Sequence, residues 1–577
     1  MSASESSVHP LLRVAELSVS FPSPRGVVAA VKSLSFSVRP GEVVALVGES
    51  GSGKSVTART LVGLAGAGAQ VQAAALQLNR HDGSLIDLRQ PDGKKWQQIR
   101  GREIGFVLQD ALTSLDPLRR IGQEVAEPLR THRLASGAEL AQRVQALLTQ
   151  AGIPDAQNRA AQYPHELSGG LRQRALIASA LAADPRLLIA DEPTTALDAT
   201  VQKQVLKVFR DLAQAGHGVL LITHDLAVVA DIADRVVVMH QGQQVESGAT
   251  RQVLTSPQHP YTRRLLSAIP TAHTRGRWLT GSDPLAATHG ENRRSIASRA
   301  HGRAAADMGH ASSHAAAQPV LSVNHVSIAF SLPDGGQLQA VNQVSLQVAP
   351  GETLGIVGES GSGKTTLGKM VLGLQRPQQG EIQLLGQPWS QLKERARRPL
   401  RPRIQTIVQD PLGSFDPQFT VQQLLQQPLR LHSSLNRAQQ QQRILELLAL
   451  VGLSADLLPR RPGALSGGQR QRVSIAQALA CEPDILICDE PVSALDVTTQ
   501  AQVLDLLVAL QRRLQLSMLF ISHDLGVVQH MSHRIAVMKA GEIVETGSVE
   551  QIFSQPRHSY TRLLLSAVES VPAAAVA

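Results

Sequence analysis

One ordered set of motifs occurs twice in this chain, and that constrains its fold more than any other feature. GESGSGKS at 48–55 returns as GESGSGKT at 358–365, 310 residues later. LSGG at 167–170 returns at 465–468, and ADEPTTALD at 190–198 returns as CDEPVSALD at 488–496, both with an offset of 298. ITHDL at 222–226 and HPYTRRLLSA at 259–268 return as ISHDL at 521–525 and HSYTRLLLSA at 558–567, with an offset of 299. A repeat this long and this ordered describes two copies of one domain. The fall from 310 to 298 places extra residues of the first copy around 81–95, a polar, turn-rich stretch that reads as a surface loop. The domains expected are 1–270 and 319–577. Residues 271–318 between them are rich in Ala, Ser, Gly, His and Arg, lack apolar periodicity, and read as a flexible linker. Its five histidines are irregularly spaced without a cysteine or acidic cluster, which weighs against a metal site.

Within each copy, strand and helix patterns alternate. Leu34, Phe36 and Val38 alternate with Ser35, Ser37 and Arg39, and Val344, Leu346 and Val348 repeat the pattern. Each run leads through a Pro-Gly turn into a mostly apolar stretch, VVALV at 43–47 or TLGIV at 353–357, of the kind found in central strands covered on both faces. After ALD, Val201, Val205, Val208 and Leu212 share one helical face. The fold class expected is α/β with a largely parallel sheet in each copy.

G-x-x-x-x-G-K-[ST] between a buried strand and a helix is a phosphate-binding loop. Gly48, Ser50, Gly51, Ser52 and Gly53, and Gly358, Ser360, Gly361, Ser362 and Gly363, curl the backbone so that N–H groups face phosphate oxygens. The helix that follows presents its positive end to the same charge. Lys54 and Lys364 add a full positive charge, and Ser55 and Thr365 offer hydroxyls to Mg²⁺. Thr366, next in the second copy, is counted with the nucleotide site. LLIADE at 187–192 and ILICDE at 485–490 read as buried strands ending in two acids. Asp191 and Asp489 are expected to hold Mg²⁺, and Glu192 and Glu490 to orient or deprotonate the attacking water.

Composition removes several other classes. The net charge is +9, but no dense Lys/Arg run points to nucleic acid. Two cysteines, Cys481 and Cys488, cannot build a disulfide framework or a four-cysteine zinc site, and both read as small apolar residues. The N-terminal MSASESSVHP does not read as a signal peptide, and no apolar run approaches the ~20 residues of a membrane-spanning helix.

LSGGLRQR at 167–174 and LSGGQRQR at 465–472 resemble the signature motif of ABC ATPases. The resemblance covers nearly everything except the linker and the termini. It implies two tandem ABC-type P-loop NTPase domains, each a mixed, mostly parallel sheet with a helical subdomain. It also implies that Gln109 and Gln409 are Q-loop residues touching nucleotide and Mg²⁺, that Ala196-Leu197-Asp198 and Ala494-Leu495-Asp496 are D-loops, and that His224 and His523 are switch histidines. Ser168, Gly169 and Gly170, and Ser466, Gly467, Gly468 and Gln469, are then expected at the γ-phosphate of ATP held by the opposite domain. Phe21 and Phe330 are candidates to stack on adenine and equally candidates for core.

SPQHPYTRRLLSAIP at 256–270, QPRHSYTRLLLSAVE at 555–569, and the segments QDALTSLDP and QDPLGSFDP after each glutamine are similar to peptide/nickel importer ATPases. The fused arrangement resembles the ATPases of glutathione and microcin-type peptide importers. That resemblance implies ATP and Mg²⁺ as cofactors and a peripheral place on the cytoplasmic face of the plasma membrane. The implied partners are two permease subunits and, indirectly, an extracytoplasmic solute-binding protein. Peptide is the first solute expected and a nickel or metal chelate the second. An exporter ATPase shares every catalytic motif and differs only in the extension. A soluble twin protein acting on ribosomes or nucleic acid fits less well, because such proteins carry a charged helical linker or zinc cysteines. Leu112, Leu115, Leu412 and Phe415, after the Q-loop glutamines, are expected either to meet the permease or to be core.

Overall fold

The computed structural model describes residues 9–23, 26–80, 82–89, 93–109, 114–194, 197, 199–271, 274–286, 318–331 and 336–566. Two compact units emerge, one from the described residues through Leu266 and one from Ser267 onward. Ala196, Asp198 and Leu112, and the five linker histidines, lie outside the described residues.

In the first unit, β1 (Leu12–Ser23) and β2 (Gly26–Val38) form an antiparallel pair. β3 (Val43–Val47) leads through the phosphate loop into α1 (Lys54–Leu61). β4 (Gln70–Gln72), β5 (Ala75–Asn79) and β6 (Leu85–Asp87) complete a five-stranded side sheet. The main sheet adds β7 (Ile104–Val107), β8 (Leu187–Asp191), β9 (Gly218–Thr223), β10 (Arg235–His240) and β11 (Gln243–Ala249). Its order is β11-β10-β3-β9-β8-β7, parallel throughout except at β11. Every residue of β3, β8 and β9 is buried, as their unbroken apolar runs require. Between β7 and β8 lie α2 (Ile121–Thr131), α3 (Gly137–Gln150) and α4 (Gly169–Leu181), which pack together as a helical subdomain. The unit also holds α5 (Ala199–Gln214), α6 (Leu226–Ile232) and α7 (Pro260–Ser267).

The second unit repeats this plan. Its side sheet is β12 (Leu321–Ser331), β13 (Gln337–Val348) and β15 (Gln379–Leu384), and β14 (Thr353–Val357) is the central strand of its main sheet. Around β14 stand β16 (Ile404–Ile407), β17 (Ile485–Asp489), β18 (Ser517–Ile521), β19 (Arg534–Lys539) and β20 (Glu542–Ser548), in the order β16-β17-β18-β14-β19-β20. Its α-helices of six or more residues are, in chain order, α8 (Lys364–Val371), α9 (Val421–His432), α10 (Arg437–Leu450) and α11 (Gly467–Leu479), then α12 (Val497–Leu514), α13 (Leu525–Met531), α14 (Val549–Ser554) and α15 (Ser559–Ser566).

The structure departs from the sequence reading at two places. The extra stretch of the first copy is not all loop: β6 pairs with β5, because Ile86 and Leu88 alternate inward and bury at the edge of the side-sheet core. Nor is the expected linker 271–318 uniformly a linker. Within it, residues 274–286 pack on the second unit, with Leu279 and Leu285 buried in its core. The polarity of this segment hides a few apolar anchors.

Candidate active site

The phosphate loop is shaped by approaches that a side chain would block. A Cβ on Gly48 would lie 2.2 Å from the Met239 carbonyl oxygen, and one on Gly358 would lie 2.1 Å from that of Met538. Both are far inside contact distance, so these positions need glycine. Lys54 is buried, and its Nζ donates to the carbonyls of Gly48 and Glu49 at 2.8 and 2.7 Å and to Ser52 Oγ at 3.3 Å. Lys364 makes the matching bonds to Gly358, Glu359 and Ser362 at 2.7, 2.8 and 3.3 Å. Each ammonium is thereby aimed across its own loop.

The acids stand where β8 and β17 end. Ser55 Oγ donates to Asp191 Oδ1 at 2.9 Å, and Thr365 Oγ1 to Asp489 Oδ1 at 3.4 Å. Burial pushes the Asp191 and Asp489 carboxyls above the usual carboxylate range, and the neighbouring Glu192 and Glu490 add to the rise. A hydroxyl and a carboxylate brought together at a desolvated, phosphate-facing point form an oxygen donor set that fits Mg²⁺.

Glu192 and Glu490 sit in left-handed backbone, with φ 49° and 48°, a conformation that costs a non-glycine residue of order 1–3 kcal/mol. Their N–H groups donate to the carbonyls of Ile222 and Ile521, which pins each glutamate to the strand carrying the histidine. Gln109 Nε2 donates to Glu192 Oε2 at 2.9 Å, and Gln409 Nε2 to Glu490 Oε2 at the same distance. On its other oxygen, Glu192 meets His224 Nδ1 at 3.3 Å, and Glu490 meets His523 Nδ1 at 3.1 Å. Burial opposes charge on both histidines, but the bonded glutamates outweigh it and hold both above the ordinary histidine value. Burial likewise opposes charge on Glu490, and the His523 bond overcomes it, keeping that carboxyl low. In each unit the structure therefore brings glutamine, glutamate, histidine, lysine and aspartate to one place.

The signature serines cap helices. Ser168 Oγ accepts from Leu171 N at 3.4 Å at the start of α4, and Ser466 Oγ from Gln469 N at 3.3 Å at the start of α11. Gln469 also turns its side-chain oxygen onto Ser466 N at 3.0 Å, closing a capping box that Leu171 cannot form. Its amide, expected at the nucleotide, is directed to the helix end. A Cβ on Gly170 would meet Val201 at 2.6 Å and one on Gly468 would meet Thr499 at 2.4 Å, so the second signature glycine allows close helix packing.

The ABC transporter family model matches residues 31–195 and 341–493, more than half of the chain. This chain belongs to the ABC transporter family. As a member of it, the protein is an ATPase with two nucleotide-binding domains. A second family model, the C-terminal region of oligopeptide/dipeptide transporters, matches 245–291 and 544–575. A glutathione import ATP-binding protein of Escherichia coli strain K12 is 43% identical over 97% of this chain and 89% of its own length. Its counterpart in Pectobacterium atrosepticum is 42% identical over 85% of this chain and 78% of its own. Among solved structures, the ATP-binding cassette MJ0796 in a dimeric post-hydrolysis state bound to ADP and Pi aligns over 40% of this chain and 98% of its own, at 28% identity and TM-score 0.37.

The extension of this ABC protein reaches the phosphate loop, which the sequence reading did not anticipate. Glu49 N–H donates to the buried Tyr261 hydroxyl at 3.1 Å, and Glu359 N–H to that of Tyr560 at 3.1 Å. His259 and His558 accept from the backbone of the tyrosine two residues on, while Glu246 and Glu545 accept from the backbone entering each helix. The available signal was the recurrence of a glutamate 13 residues before each His-x-Tyr.

Other expected residues separate. Leu115 and Phe415 are core, at 2% and 5% exposure, because each folds under the helical subdomain. Leu412 is exposed, and so is Leu118 nearby in the first unit. Phe21 packs partly against the side-sheet core, whereas Phe330 stands at 38% exposure. Cys488 is buried with its thiol pushed up to about 12, and Cys481 is half-buried at about 11, so both stay protonated thiols. Among the described residues, no helix is long and apolar enough to cross a membrane, and no group of three His, Cys, Asp or Glu could hold a metal ion.

Proposed function

We propose that this protein is the ATP-hydrolysing subunit of an importer for peptides of the glutathione kind, working from the cytoplasmic face of the membrane with two permease subunits and an extracytoplasmic binding protein. The observation that carries this reading is the extension. It matches the oligopeptide/dipeptide transporter region in both copies, and the protein is 43% identical over 97% of its length to a glutathione import ATP-binding protein.

The proposed chemistry follows from the geometry. Loop N–H groups with Lys54 and Lys364 neutralise the phosphates, a charge-assisted contact. Ser55 with Asp191, and Thr365 with Asp489, would hold Mg²⁺, which when bound offsets charge on the phosphate oxygens. Gln109 and Gln409 and the two signatures complete the nucleotide sites, a role that rests on the family resemblance. Glu192 and Glu490, each held by a glutamine on one oxygen and a histidine on the other, orient the attacking water and take its proton. Leu412 and Leu118, both exposed beside the Q-loop segments, are apolar side chains that a permease could meet.

The test is reconstitution with candidate permease subunits and a binding protein. Glutathione or a dipeptide loaded on the binding protein should stimulate ATP hydrolysis and enter the vesicles. Stimulation by a nickel chelate alone would reassign the solute. Stimulation by ribosomes alone would remove the transport reading.

A further inference from the structure

The segment after α7 is held on the second unit by contacts from three helices. Asp505 on α12 is fully buried, and its carboxylate accepts from Leu279 N at 2.9 Å, Thr280 N at 2.8 Å and Thr280 Oγ1 at 2.7 Å. Arg512 stacks over Trp278, with 5.3 Å to the ring centroid, and Arg513 bonds Asp283 at 3.1 Å. Arg275 pairs with Glu550 on α14. The remaining contacts fall on α13. The Pro270 carbonyl oxygen lies 2.6 Å from where a Cβ on Gly526 would be, and Thr274 Oγ1 meets His530 Nδ1 at 3.5 Å. Arg275 also bonds the Ser532 carbonyl, just after α13, at 3.4 Å.

α13 follows directly on His523, and Asp524 is its cap. Its seven residues are touched by the segment in the first turn and at the last. A helix this short has no independent stability and takes its position from what packs on it.

The first copy differs at every gripping position. Counterparts of Asp505, Arg512 and Arg513 are Lys207, Gln214 and Ala215, and those of Gly526, His530 and Glu550 are Ala227, Asp231 and Arg251. Lys207 has no acceptor for two N–H groups. Ala227 carries the Cβ that Gly526 avoids, and Arg251 would face Arg275 with like charge. The dock is therefore specific to the second copy.

We propose that Pro270, Thr271 and residues 274–286 form a strap that positions α13, and through it His523 beside Glu490, in the second domain alone. This rests on the reading that His523 holds the hydrolytic glutamate. The strap is a positioning element: its contacts fall on α12, α13 and α14 and not on Glu490, and it acts through the helix that follows the histidine.

The experiment uses the full chain and three substitutions. Gly526→Ala favours the helix itself by up to about 1 kcal/mol while crowding Pro270, so its cost falls on the strap contact and not on α13. Asp505→Lys installs the first-copy residue. His523→Ala removes the group being positioned. Strap release is read as faster tryptic cleavage after Arg277. Release in Gly526→Ala is expected to lower kcat, by up to about twofold where the two sites turn over independently and by more where they are coupled, since one of two sites is affected. KM for ATP should hold, and circular dichroism should show both domains still folded. Because the strap acts only through His523, the double variant Gly526→Ala/His523→Ala should turn over no more slowly than His523→Ala alone. Release with unchanged kcat, additive losses in the double variant, or no release in either Gly526→Ala or Asp505→Lys would overturn the strap's role. If His523→Ala itself leaves kcat unchanged, the reading of His523 fails instead.

Discussion

At the scale of single residues, the groups gathered at each phosphate loop were legible because each sits at a fixed step from its neighbours in sequence. Lys54, Asp191, Glu192 and His224 lie in short motifs whose order, together with the family resemblance, proposes their roles. Tyr261 was not legible in this way, because its partner Glu49 lies 212 residues away. Gln469 was assigned to the nucleotide by its place in the signature, and its capping bond shows only in the geometry. The buried aspartates give a testable consequence. Asp489 is disfavoured as an anion by burial, so its charge costs stability at neutral pH, and that cost disappears as pH falls through its raised value toward the ordinary carboxylate range. Asp489→Asn is therefore expected to melt no lower than the parent at pH 7 without nucleotide, with any advantage shrinking on acidification. It should also lose most of the thermal stabilisation that Mg²⁺ and ATP together confer on that site. Scanning calorimetry with and without Mg²⁺-ATP checks both halves, and full retention of the Mg²⁺-ATP shift would remove Asp489 as the metal-holding residue.

Among the elements, the main-sheet strands could be read from apolar runs bounded by Pro-Gly turns, since a strand covered on both faces has no polar positions to alternate. β6 could not, because only Ile86 and Leu88 mark it and the surrounding residues are those of a turn. The strap was hidden for the same reason, with two buried leucines in a polar stretch. The extension helices α7 and α15 were visible as a repeated motif, but repetition does not say what they touch. Each buries a tyrosine hydroxyl that accepts from the phosphate loop, which makes the extension part of the loop's support. Tyr261→Phe or Tyr560→Phe leaves a loop N–H without that acceptor, costing about 1 kcal/mol. The expected outcome is roughly fivefold weaker ATP binding at the affected site, since the loop must reorganise before it closes on phosphate. Titration calorimetry measures this directly. A lowered melting temperature with unchanged ATP affinity would reduce the tyrosines to ordinary packing.

Across the whole molecule, the question posed by duplication is whether both copies hydrolyse ATP. A site that has lost its function usually shows it in the residues that orient water, and here those residues are intact twice. Glutamine-to-glutamate distances are 2.9 Å in both units, and histidine-to-glutamate distances are 3.3 and 3.1 Å. Both glutamates carry the same left-handed backbone. The asymmetries lie elsewhere: the capping box at Gln469, the longer Thr365–Asp489 contact, and the strap on the second unit. None of these removes a donor or a base from either site, although the strap makes the second depend on a segment the first does without. Glu192→Gln and Glu490→Gln are therefore each expected to cut turnover sharply while leaving ATP binding in place, because a positioned base contributes about 10²–10⁴-fold in the transition state and little before it. Steady-state ATPase rates and nucleotide affinities of both single variants in the assembled transporter decide the matter. If Glu490→Gln turned over near the parent rate while Glu192→Gln abolished activity, the second glutamate would be a bystander and the duplication would have left one working site.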